Sequence, residues 1–303
     1  MQTARNKRIT PLKGVRILSL ALNLPGPAAL MRLHQMGATC TKLEPLAPSG
    51  LVTADPMGLY KPDAYETMHQ GVRVAQADLK TPRGQTTLHK LLAKTDVLIT
   101  SFRPSALAKL GLDWKTLHRL YPNLCMVSVV GAFGPRAEEP GHDLTYLAEN
   151  GLVNGLDLPA TLYADMGGSL MITEAVLQAL LLRQSRGRQN GLGVFQEIAL
   201  NDAANYLALP RTWRLTTPDG DVGGAHAGYK IYPCKNGRVA VAALEPHFAK
   251  RLCLVVGLEE KDMHSMHALK THKAFAKFFT SQTRNQLDGL AVSKDIPMHT
   301  LAN

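Results

Sequence analysis

Short apolar runs that alternate with helix-forming segments constrain the fold of this chain more than any other feature of its sequence. Leu124–Val130, which reads LCMVSVV, is the strongest of these runs. A strand can be apolar along its whole length only where both faces of its sheet are covered, as in a parallel sheet flanked by helices. Similar runs recur through the first two thirds of the chain: Gly14–Leu20, Thr39–Leu43, Val72–Leu79, Asp96–Thr100 and Val194–Leu200. Strands that alternate with helices predict a doubly wound, mostly parallel, Rossmann-like α/β domain.

Within this domain, three stretches carry more detailed predictions. Pro25-Gly26-Pro27 indicates a break before a helix at Ala28–Met36. The Pro- and Gly-rich stretch Pro45–Tyr65 has no periodicity, which predicts a long ordered loop. The apolar run Ser169–Leu182 predicts a buried helix that begins after two glycines.

The last third of the chain has a different pattern, which predicts a large domain over residues 1–215 and a smaller α+β domain over residues 225–303. The polar, Gly-rich stretch Thr216–Gly228 separates them. Two strand-like runs then flank Lys235-Asn236-Gly237, and Asn-Gly is typical of a hairpin with a type I′ turn. Helical segments follow at Glu245–Val256, Ala268–Ser281 and Thr283–Val292.

The charge of the chain favours an anionic partner. Its 303 residues include 34 Lys and Arg against 24 Asp and Glu, which gives a formal net charge of +10. Nucleic acid, an anionic membrane surface and a phosphate-rich cofactor are the partners that such a balance favours. The basic residues are scattered and form no stripe, so we expect no nucleic-acid partner.

The N-terminus and the cysteines bear on the compartment. Met1–Lys13 is polar and basic with no apolar core behind it, so no secretory signal is expected. The four cysteines are far apart and form no Cys-x-x-Cys or Cys/His cluster, which predicts a reduced cytoplasm and no metal site. The longest apolar run, Leu170–Leu182, is short and interrupted by polar residues, so we also expect no membrane span.

Titratable residues between glycines mark residues 141–168 as the candidate site. His142 and Asp143 stand together after Gly141, and Asp165 stands just before Gly167-Gly168. Titratable side chains that lie next to glycines and an apolar helix are typical of a catalytic pocket.

Several segments, taken in chain order, resemble the signatures of the family III CoA-transferases (CaiB/BaiF-like). The resemblance covers about residues 12–260 and rests on the ordered set rather than on any one motif. Its segments are Pro25-Gly26-Pro27, Met36-Gly37-Ala38, Lys42-Leu43-Glu44-Pro45, Asp78-Leu79-Lys80, Asp96-Val97-Leu98, Phe102-Arg103-Pro104, Leu110-Gly111-Leu112, Gly141-His142-Asp143 with Tyr146, Asp165 before Gly167-Gly168, Gly187, Gly237-Arg238 and Ala243-Leu244-Glu245-Pro246.

The resemblance implies the family's fold and one of two activities on acyl-CoA thioesters. In the transferases an aspartate at the position of Asp165 forms an acyl-anhydride and then a CoA thioester. The α-methylacyl-CoA racemases use that aspartate as an acid/base, and they add a histidine in a Gly-His-Asp step and a glutamate before a proline. His142 and Glu245 match these two additions, so the resemblance is closest to the racemases.

Racemisation explains why these residue types are needed. A proton must leave the carbon next to the thioester and another must return on the opposite face, so two groups in opposite protonation states are required. We assign His142 and Asp165 to these roles, and the resemblance implies that Glu245 bonds to the histidine. Backbone N–H groups of residues 165–168 are expected to stabilise the enolate oxygen.

The resemblance also implies how CoA is bound. Arg103 and Lys80 match family positions near the CoA phosphates, and Arg73 is a further candidate, because guanidinium groups bind phosphate well. Asp143 and Tyr146 match positions that support the catalytic residues or contact CoA. No permanently bound cofactor is expected, since CoA enters as part of the substrate, and the family's interlocked homodimer is the expected assembly.

Other roles stay open for these residues. Asp165 is suited to an N-cap, Glu245 to the positive end of a helix, and Arg103 to the solvated surface. A CoA-transferase and a non-catalytic CoA-binding relative are therefore alternatives to the racemase. Two departures from the family bear on them: the family's C-terminal return to the large domain is not present, and His69 and Val72 stand where Asn and a basic residue are typical.

Overall fold

A computed structural model describes residues 9–185, 191–259 and 263–302. The chain forms two compact units, with the division between Ala208 and Leu209. The sequence places the end of the large domain at residue 215 and the start of the small one at residue 225, so the division lies a few residues earlier than expected.

The first unit contains a six-stranded sheet in which every neighbouring pair is parallel. The strand order is β3-β2-β1-β4-β5-β6, which confirms the predicted doubly wound sheet. The strands are β1 (Arg16–Ser19), β2 (Thr39–Glu44), β3 (Arg73–Gln76), β4 (Val97–Thr100), β5 (Cys125–Val130) and β6 (Phe195–Ala199).

Up to residue 212, the part of the chain that the structure describes contains nine α-helices. Helices lie on both faces of the sheet. They are α1 (Pro25–Gln35), α2 (Pro56–Tyr60), α3 (Pro62–Met68), α4 (Pro82–Leu92), α5 (Pro104–Lys109), α6 (Trp114–Leu120), α7 (Asp143–Glu149), α8 (Tyr163–Ser185) and α9 (Leu200–Thr212).

Alternate strand residues supply the two halves of the core. Ile99 and Val127 pack with residues of α1 and α8 on one face. Leu98 and Met126 pack with residues of α4, α5 and α6 on the other face. Successive side chains of a strand point to opposite faces, so a strand between two helix layers must be apolar at nearly every position. This is why β5 is buried along its whole length.

Three predictions for this unit are wrong. Pro25-Gly26-Pro27 is the first turn of α1 rather than a break before it, since proline at the first helical position lacks only an N–H that has no partner there. The stretch Pro45–Tyr65 contains α2 and the start of α3. Helix α8 begins at Tyr163, before the glycines, and therefore includes Asp165 in its first turn.

Helix α8 is longer than the predicted apolar run. It has 23 residues and, by length and composition alone, is apolar enough to cross a membrane. Ile172, Ala175 and Val176 of this helix are buried against the sheet, as in the core helix of a globular domain. The predicted absence of a membrane span stays a prediction.

The second unit is the smaller α+β body that the sequence predicts. Three antiparallel strands lie in the order β7-β8-β9. In the core of this unit Tyr232 stacks on Phe279, and Phe275 packs edge-to-face against both. The elements are β7 (Tyr229–Cys234), β8 (Gly237–Ala242), α10 (Pro246–Val256), α11 (Leu269–Ser281), α12 (Arg284–Lys294) and β9 (Met298–Leu301).

The β7–β8 hairpin is confirmed, but its predicted turn type is wrong. Cys234 pairs with Gly237, so Lys235 and Asn236 form the two-residue loop. Neither loop residue has the positive φ that a type I′ turn requires. The glycine is needed after the loop instead: Gly237 has φ of 153°, and a Cβ there would lie 2.2 Å from the carbonyl oxygen of Leu301.

Candidate active site

The candidate site is a cavity at the carboxyl ends of the parallel strands of the first unit. Loops that follow β1, β4 and β5 form its walls, together with the first residues of α7 and α8. The chain reverses its winding direction between β1 and β4, which is where open α/β sheets leave a crevice for ligands. The lining includes Asn23, Arg103, Glu139, Gly141, His142, Tyr146 and Asp165.

The size of the cavity limits what it can hold. Its volume is about 180 Å³. Pockets that hold drug-sized ligands measure about 300–1,000 Å³. A cavity below that range suits a thioester group and a few carbon atoms, and we expect the nucleotide part of CoA to lie outside it.

Asp165 is the third residue of α8 and is half-buried in the cavity wall. It is therefore in the first helical turn and is not the N-cap, which was one of its predicted roles. Burial raises the pKa of its carboxyl group to about 6, and the charge of Asp143 adds to this rise while His142 opposes it. At this pKa the carboxyl group can act as both an acid and a base near neutral pH.

Asp143 holds the start of α8 in place. It is the first residue of α7 and is buried, with 4% of its surface exposed. Its Oδ1 accepts a hydrogen bond from the backbone N–H of Asp165 at 3.0 Å. A carboxylate that is buried and already bonded in this way has little surface left for CoA. The geometry therefore favours support of Asp165 over CoA contact, the two roles that the resemblance implies for Asp143.

His142 lies immediately before α7, at the exposed side of the cavity. Its backbone N–H donates to Oγ1 of Thr145 at 3.1 Å. The backbone N–H and the hydroxyl of Thr145 both donate to the carbonyl oxygen of His142, at 2.9 and 2.7 Å. These bonds fix the backbone of His142 beside Asp165. The structure thus brings together the two predicted acid/bases.

Tyr146 places its hydroxyl between two glycines of the cavity wall. A Cβ at either Gly131 or Gly141 would lie 2.4 Å from the Tyr146 Oη, so any larger residue at these positions would displace the hydroxyl. Burial raises the pKa of the Tyr146 hydroxyl, the charge of Asp165 raises it further, and Arg103 opposes this. The hydroxyl therefore stays protonated at neutral pH and is a hydrogen-bond donor near Asp165.

The backbone donors expected at residues 165–168 are not free, and that prediction is wrong. The N–H of Asp165 bonds to Asp143, and the N–H of Met166 bonds to the carbonyl oxygen of Leu162 at 3.0 Å. Gly167 and Gly168 lie beyond the first turn of α8, where each N–H bonds to the residue four positions earlier. Gly168 serves packing instead, because a Cβ there would lie 2.3 Å from a methyl carbon of Leu200.

Of the three residues predicted to bind CoA phosphates, the structure places one at the cavity. Arg103 is exposed and lines its mouth. Lys80 is exposed after β3, where its backbone N–H donates to Asp78 at 2.9 Å, and does not line the cavity. Arg73 is the first residue of β3, at the amino end of the strand, whereas the cavity lies at the carboxyl ends.

Glu245 lies in the second unit, at the residue that precedes α10, and is exposed. Its side chain does not cap the helix. The hydrogen bond to His142 that the resemblance implies stays a prediction. Gly187, which also carries the resemblance, lies outside the described residues.

Asn23 and Glu139 are polar cavity residues that sequence reasoning missed. Asn23 follows β1 and has a positive φ of 64°, a conformation in which Asn is one of the few non-glycine residues found regularly. The only sequence signal was an asparagine two residues before Pro-Gly-Pro. Glu139 lies at the mouth and pairs with Arg136 at 2.9 Å, and nothing in its sequence context indicates this position.

Among the described residues, no group of three or more His, Cys, Asp or Glu side chains is arranged to hold a metal ion. The predicted absence of a metal and of a permanently bound cofactor stays a prediction.

Comparison with known proteins identifies relatives of the whole chain. The model of CoA-transferase family III matches residues 12–303. A succinate–glutarate CoA-transferase of Agrobacterium fabrum is 30% identical over 83% of this chain and 68% of its own length. An alpha-methylacyl-CoA racemase of Mus musculus is 29% identical over 90% of this chain and 73% of its own length.

Solved structures support the same fold. The crystal structure of hypothetical protein Rv3272 from Mycobacterium tuberculosis matches with a TM-score of 0.81 at 23% identity, covering 98% of this chain and 85% of that one. A CAIB/BAIF family protein from Brucella suis matches with a TM-score of 0.76 at 23% identity, covering 97% of this chain and 85% of that one. At this level of identity the likeness concerns the fold alone.

Proposed function

This chain belongs to CoA-transferase family III, whose members include CoA-transferases and acyl-CoA racemases, and from that premise we propose that it is an acyl-CoA racemase. The substrate would be a 2-methylacyl-CoA thioester, and the reaction would invert its α-carbon. Relatives with both activities are similar to this chain, so the choice between them has to come from the site.

One observation carries the proposal: a second acid/base lines the same cavity as Asp165. Burial raises the pKa of Asp165 to about 6, so its carboxyl group can give or take a proton near neutral pH. His142 lines the same cavity, and its imidazole supplies a second acid/base group. A transferase needs only the carboxylate as its nucleophile, so that reaction does not account for the histidine.

In the proposed reaction the ionised carboxylate of Asp165 removes the α-proton, and the electron pair of the C–H bond moves into the thioester as an enolate. The imidazolium of His142 then donates a proton to the opposite face of the same carbon. The product has the inverted configuration, Asp165 is protonated and His142 is neutral. Asp165 then loses its proton to solvent and the exposed His142 takes one up, which restores the starting state. In the reverse direction the two residues exchange roles.

The enolate oxygen needs a donor, and the Tyr146 hydroxyl is the group that we assign to it. The hydroxyl lies in the cavity wall near Asp165, and no hydrogen bond to it is formed within the part of the chain that the structure describes. A neutral O–H that points into a small cavity is a preorganised donor of the kind that stabilises developing negative charge.

The proposal extends to CoA and to the assembly. Arg103 at the mouth of the cavity would meet a CoA phosphate, with Lys80 as a further contact, because the nucleotide does not fit inside. Glu245 would bond to His142 and set its tautomer. A homodimer and a cytoplasmic location remain part of the proposal and follow from the resemblance and the cysteine pattern.

A CoA-transferase that acts through Asp165 is the second candidate. The similarity to the succinate–glutarate CoA-transferase of Agrobacterium fabrum favours it. In that reaction the Asp165 carboxylate would attack the thioester carbonyl and release the CoA thiolate. The CoA thiolate would then attack the aspartyl carbonyl of the resulting anhydride, which releases the donor acid and leaves an aspartyl-CoA thioester. The acceptor acid would attack that thioester and release the CoA thiolate again, and attack of the thiolate on the new anhydride would give the product acyl-CoA and free Asp165.

Incubation with (S)-2-methylbutanoyl-CoA in deuterated buffer tests the proposal. A racemase incorporates deuterium at the α-carbon as the (R)-thioester appears, and His142→Ala abolishes the appearance of the (R)-form. His299→Ala, which removes an exposed histidine of β9, is the matched control and should retain full activity.

Other outcomes identify the alternatives. Transfer of CoA to added succinate without deuterium uptake, with hydroxylamine trapping Asp165, would establish the transferase. If neither reaction occurs while the protein still binds CoA, the chain is a non-catalytic relative and the racemase proposal is wrong.

A further inference from the structure

A fully buried lysine lies next to the candidate site without lining it. The side chain of Lys42, in β2, has 0% of its surface exposed. Its Nζ contacts Glu44 Oε1 at 2.8 Å and the Oδ2 of Asp55, and both carboxylates are also fully buried. Buried charges are costly unless they are paired and hydrogen-bonded. A buried cluster of this kind contributes little net stability, which points to a role other than stabilising the fold.

The two carboxylates of this cluster have different neighbours. Glu44 accepts hydrogen bonds from Tyr65 Oη at 2.8 Å and from the hydroxyl of Thr53. Burial raises the pKa of Glu44, but the bonds from Lys42 and Thr53 outweigh this and hold the pKa below its ordinary value. These partners belong to β2 and to the segment up to α3, and none of them lines the cavity.

Asp55 connects the cluster to the cavity wall. Its Oδ1 accepts hydrogen bonds from the backbone N–H of Met57 at 2.9 Å and of Asn23 at 3.1 Å. The first bond caps α2. The second fixes the backbone of a cavity residue whose positive φ of 64° costs energy outside glycine. Asn23 stands two residues before Pro25, which begins α1 and also lines the cavity.

We propose that the buried Lys42–Asp55 ion pair is a positioning element of the site, which holds Asn23 in its left-handed conformation at the cavity wall; this rests on the proposed acyl-CoA chemistry. Lys42 fixes one oxygen of Asp55, and this orients the other oxygen towards the N–H of Asn23. Loss of the link lets the loop between β1 and α1 relax, which moves the wall against which the thioester packs. Even a small displacement of the groups that position a reacting atom changes the reaction rate strongly.

Glu44 provides the matched control, because it binds the same lysine and has no contact with the cavity loop. Asp55→Ala and Glu44→Ala each remove one carboxylate from Lys42 and leave it paired with the other. Asp55→Asn keeps a side-chain oxygen that can accept from Asn23 and Met57. The three variants separate loss of a buried charge from loss of the link to Asn23.

The kinetic test is α-proton exchange of (S)-2-methylbutanoyl-CoA, measured for the folded fraction of each variant. Asp55→Ala should lower kcat by about tenfold or more. Asp55→Asn keeps an acceptor for Asn23 but turns an amide NH2 towards the Lys42 ammonium, so it should restore only part of the loss. Glu44→Ala should unfold at a lower urea concentration than the parent but change kcat less than about twofold. Equal losses of kcat in Asp55→Ala and Glu44→Ala would overturn the proposal.

A second readout does not depend on activity. The amide proton of Asn23 should exchange with solvent faster in Asp55→Ala than in the parent, because its acceptor is gone, and at the parent rate in Glu44→Ala. An unchanged Asn23 exchange rate in Asp55→Ala refutes the positioning role whether or not the enzyme turns over. If the parent shows no turnover at all, the proposed function fails while the exchange rates still decide this inference.

Discussion

Asp165→Asn should stabilise the first unit while it abolishes activity, and the pH dependence of this gain can be worked out from the structure. Burial and the charge of Asp143 raise the pKa of Asp165 from 3.8 to about 6. The folded protein therefore binds this proton more tightly than the unfolded chain does. The stability that the proton contributes is fully present below pH 3.8 and is lost as the pH rises through about 6. A pKa shift of one unit corresponds to about 1.36 kcal/mol, so this pKa shift lowers the unfolding free energy by about 3 kcal/mol at pH 8.

Asparagine resembles the protonated carboxyl group at every pH and does not suffer this loss. About 0.5 kcal/mol of this stability is already lost at pH 4, so the difference in unfolding free energy between Asp165→Asn and its parent should grow by about 2.5 kcal/mol between pH 4 and pH 8. Urea unfolding followed by tryptophan fluorescence measures it. A Trp213→Phe background leaves Trp114, in α6 of the first unit, as the sole tryptophan reporter.

The control for this prediction is Asp157→Asn, which removes the same charge from an exposed residue of the loop before α8. Its stability difference should change little with pH. If the gain from Asp165→Asn is the same at pH 4 and pH 8, or is smaller at pH 8, then the site does not raise the pKa of Asp165 and the acid/base argument loses its basis.

Three further substitutions test other parts of the structure. Lys42→Met should lower the unfolding free energy of the first unit by about 3–5 kcal/mol, because it leaves two buried carboxylates without their cation; a loss below about 1 kcal/mol in urea unfolding would contradict the buried cluster. Gly141→Ala should lower kcat by about tenfold or more, since its Cβ would lie 2.4 Å from the Tyr146 hydroxyl, and unchanged turnover would show that this hydroxyl is dispensable. Gly84→Ala should lower the melting temperature clearly, because its Cβ would lie 1.8 Å from the carbonyl oxygen of Asp78; an unchanged Tm would refute the close packing there.

The sheet could be predicted because its strands carry their signal locally. A strand covered on both faces is apolar throughout, and such runs stand out in any sequence. The signals for two helix starts are also local. Thr81 caps α4 by accepting from the backbone N–H of Gly84. Asp113 caps α6 by accepting from the backbone N–H of Thr116, and both residue types are favoured as N-caps. In both cases the determinants of the element lie within a few residues of it.

Two helices were missed because they are short, and the start of a third was misplaced because of a long-range contact. Helices α2 and α3 have five and seven residues, too few for an apolar period to show. Two glycines inside the first turns of α8 argue locally against a helix. Packing of Gly168 against Leu200, more than thirty residues away in the chain, outweighs that preference.

The same distinction between local and long-range determinants applies to the site. That His142 and Asp165 line one cavity could be predicted, because the resemblance names both residues and they lie within one short stretch of the sequence. The link from Lys42 through Asp55 to Asn23 could not be, since Asn23 and Asp55 are 32 residues apart and a lysine in a strand gives no sign that it is buried. Whether a charge is buried is decided by tertiary packing.

The most direct test of the two-base mechanism is enantiomer-specific exchange of the α-proton in His142→Ala and Asp165→Asn. Each enantiomer of 2-methylbutanoyl-CoA is incubated separately with each variant in deuterated buffer, and α-deuterium is measured by NMR. With one base removed, the remaining base can exchange only the enantiomer whose proton faces it, without racemisation. We predict that the two variants exchange opposite enantiomers. Exchange of the same enantiomer by both variants, or of both enantiomers by either one, would contradict the assignment of His142 and Asp165 to opposite faces of the α-carbon.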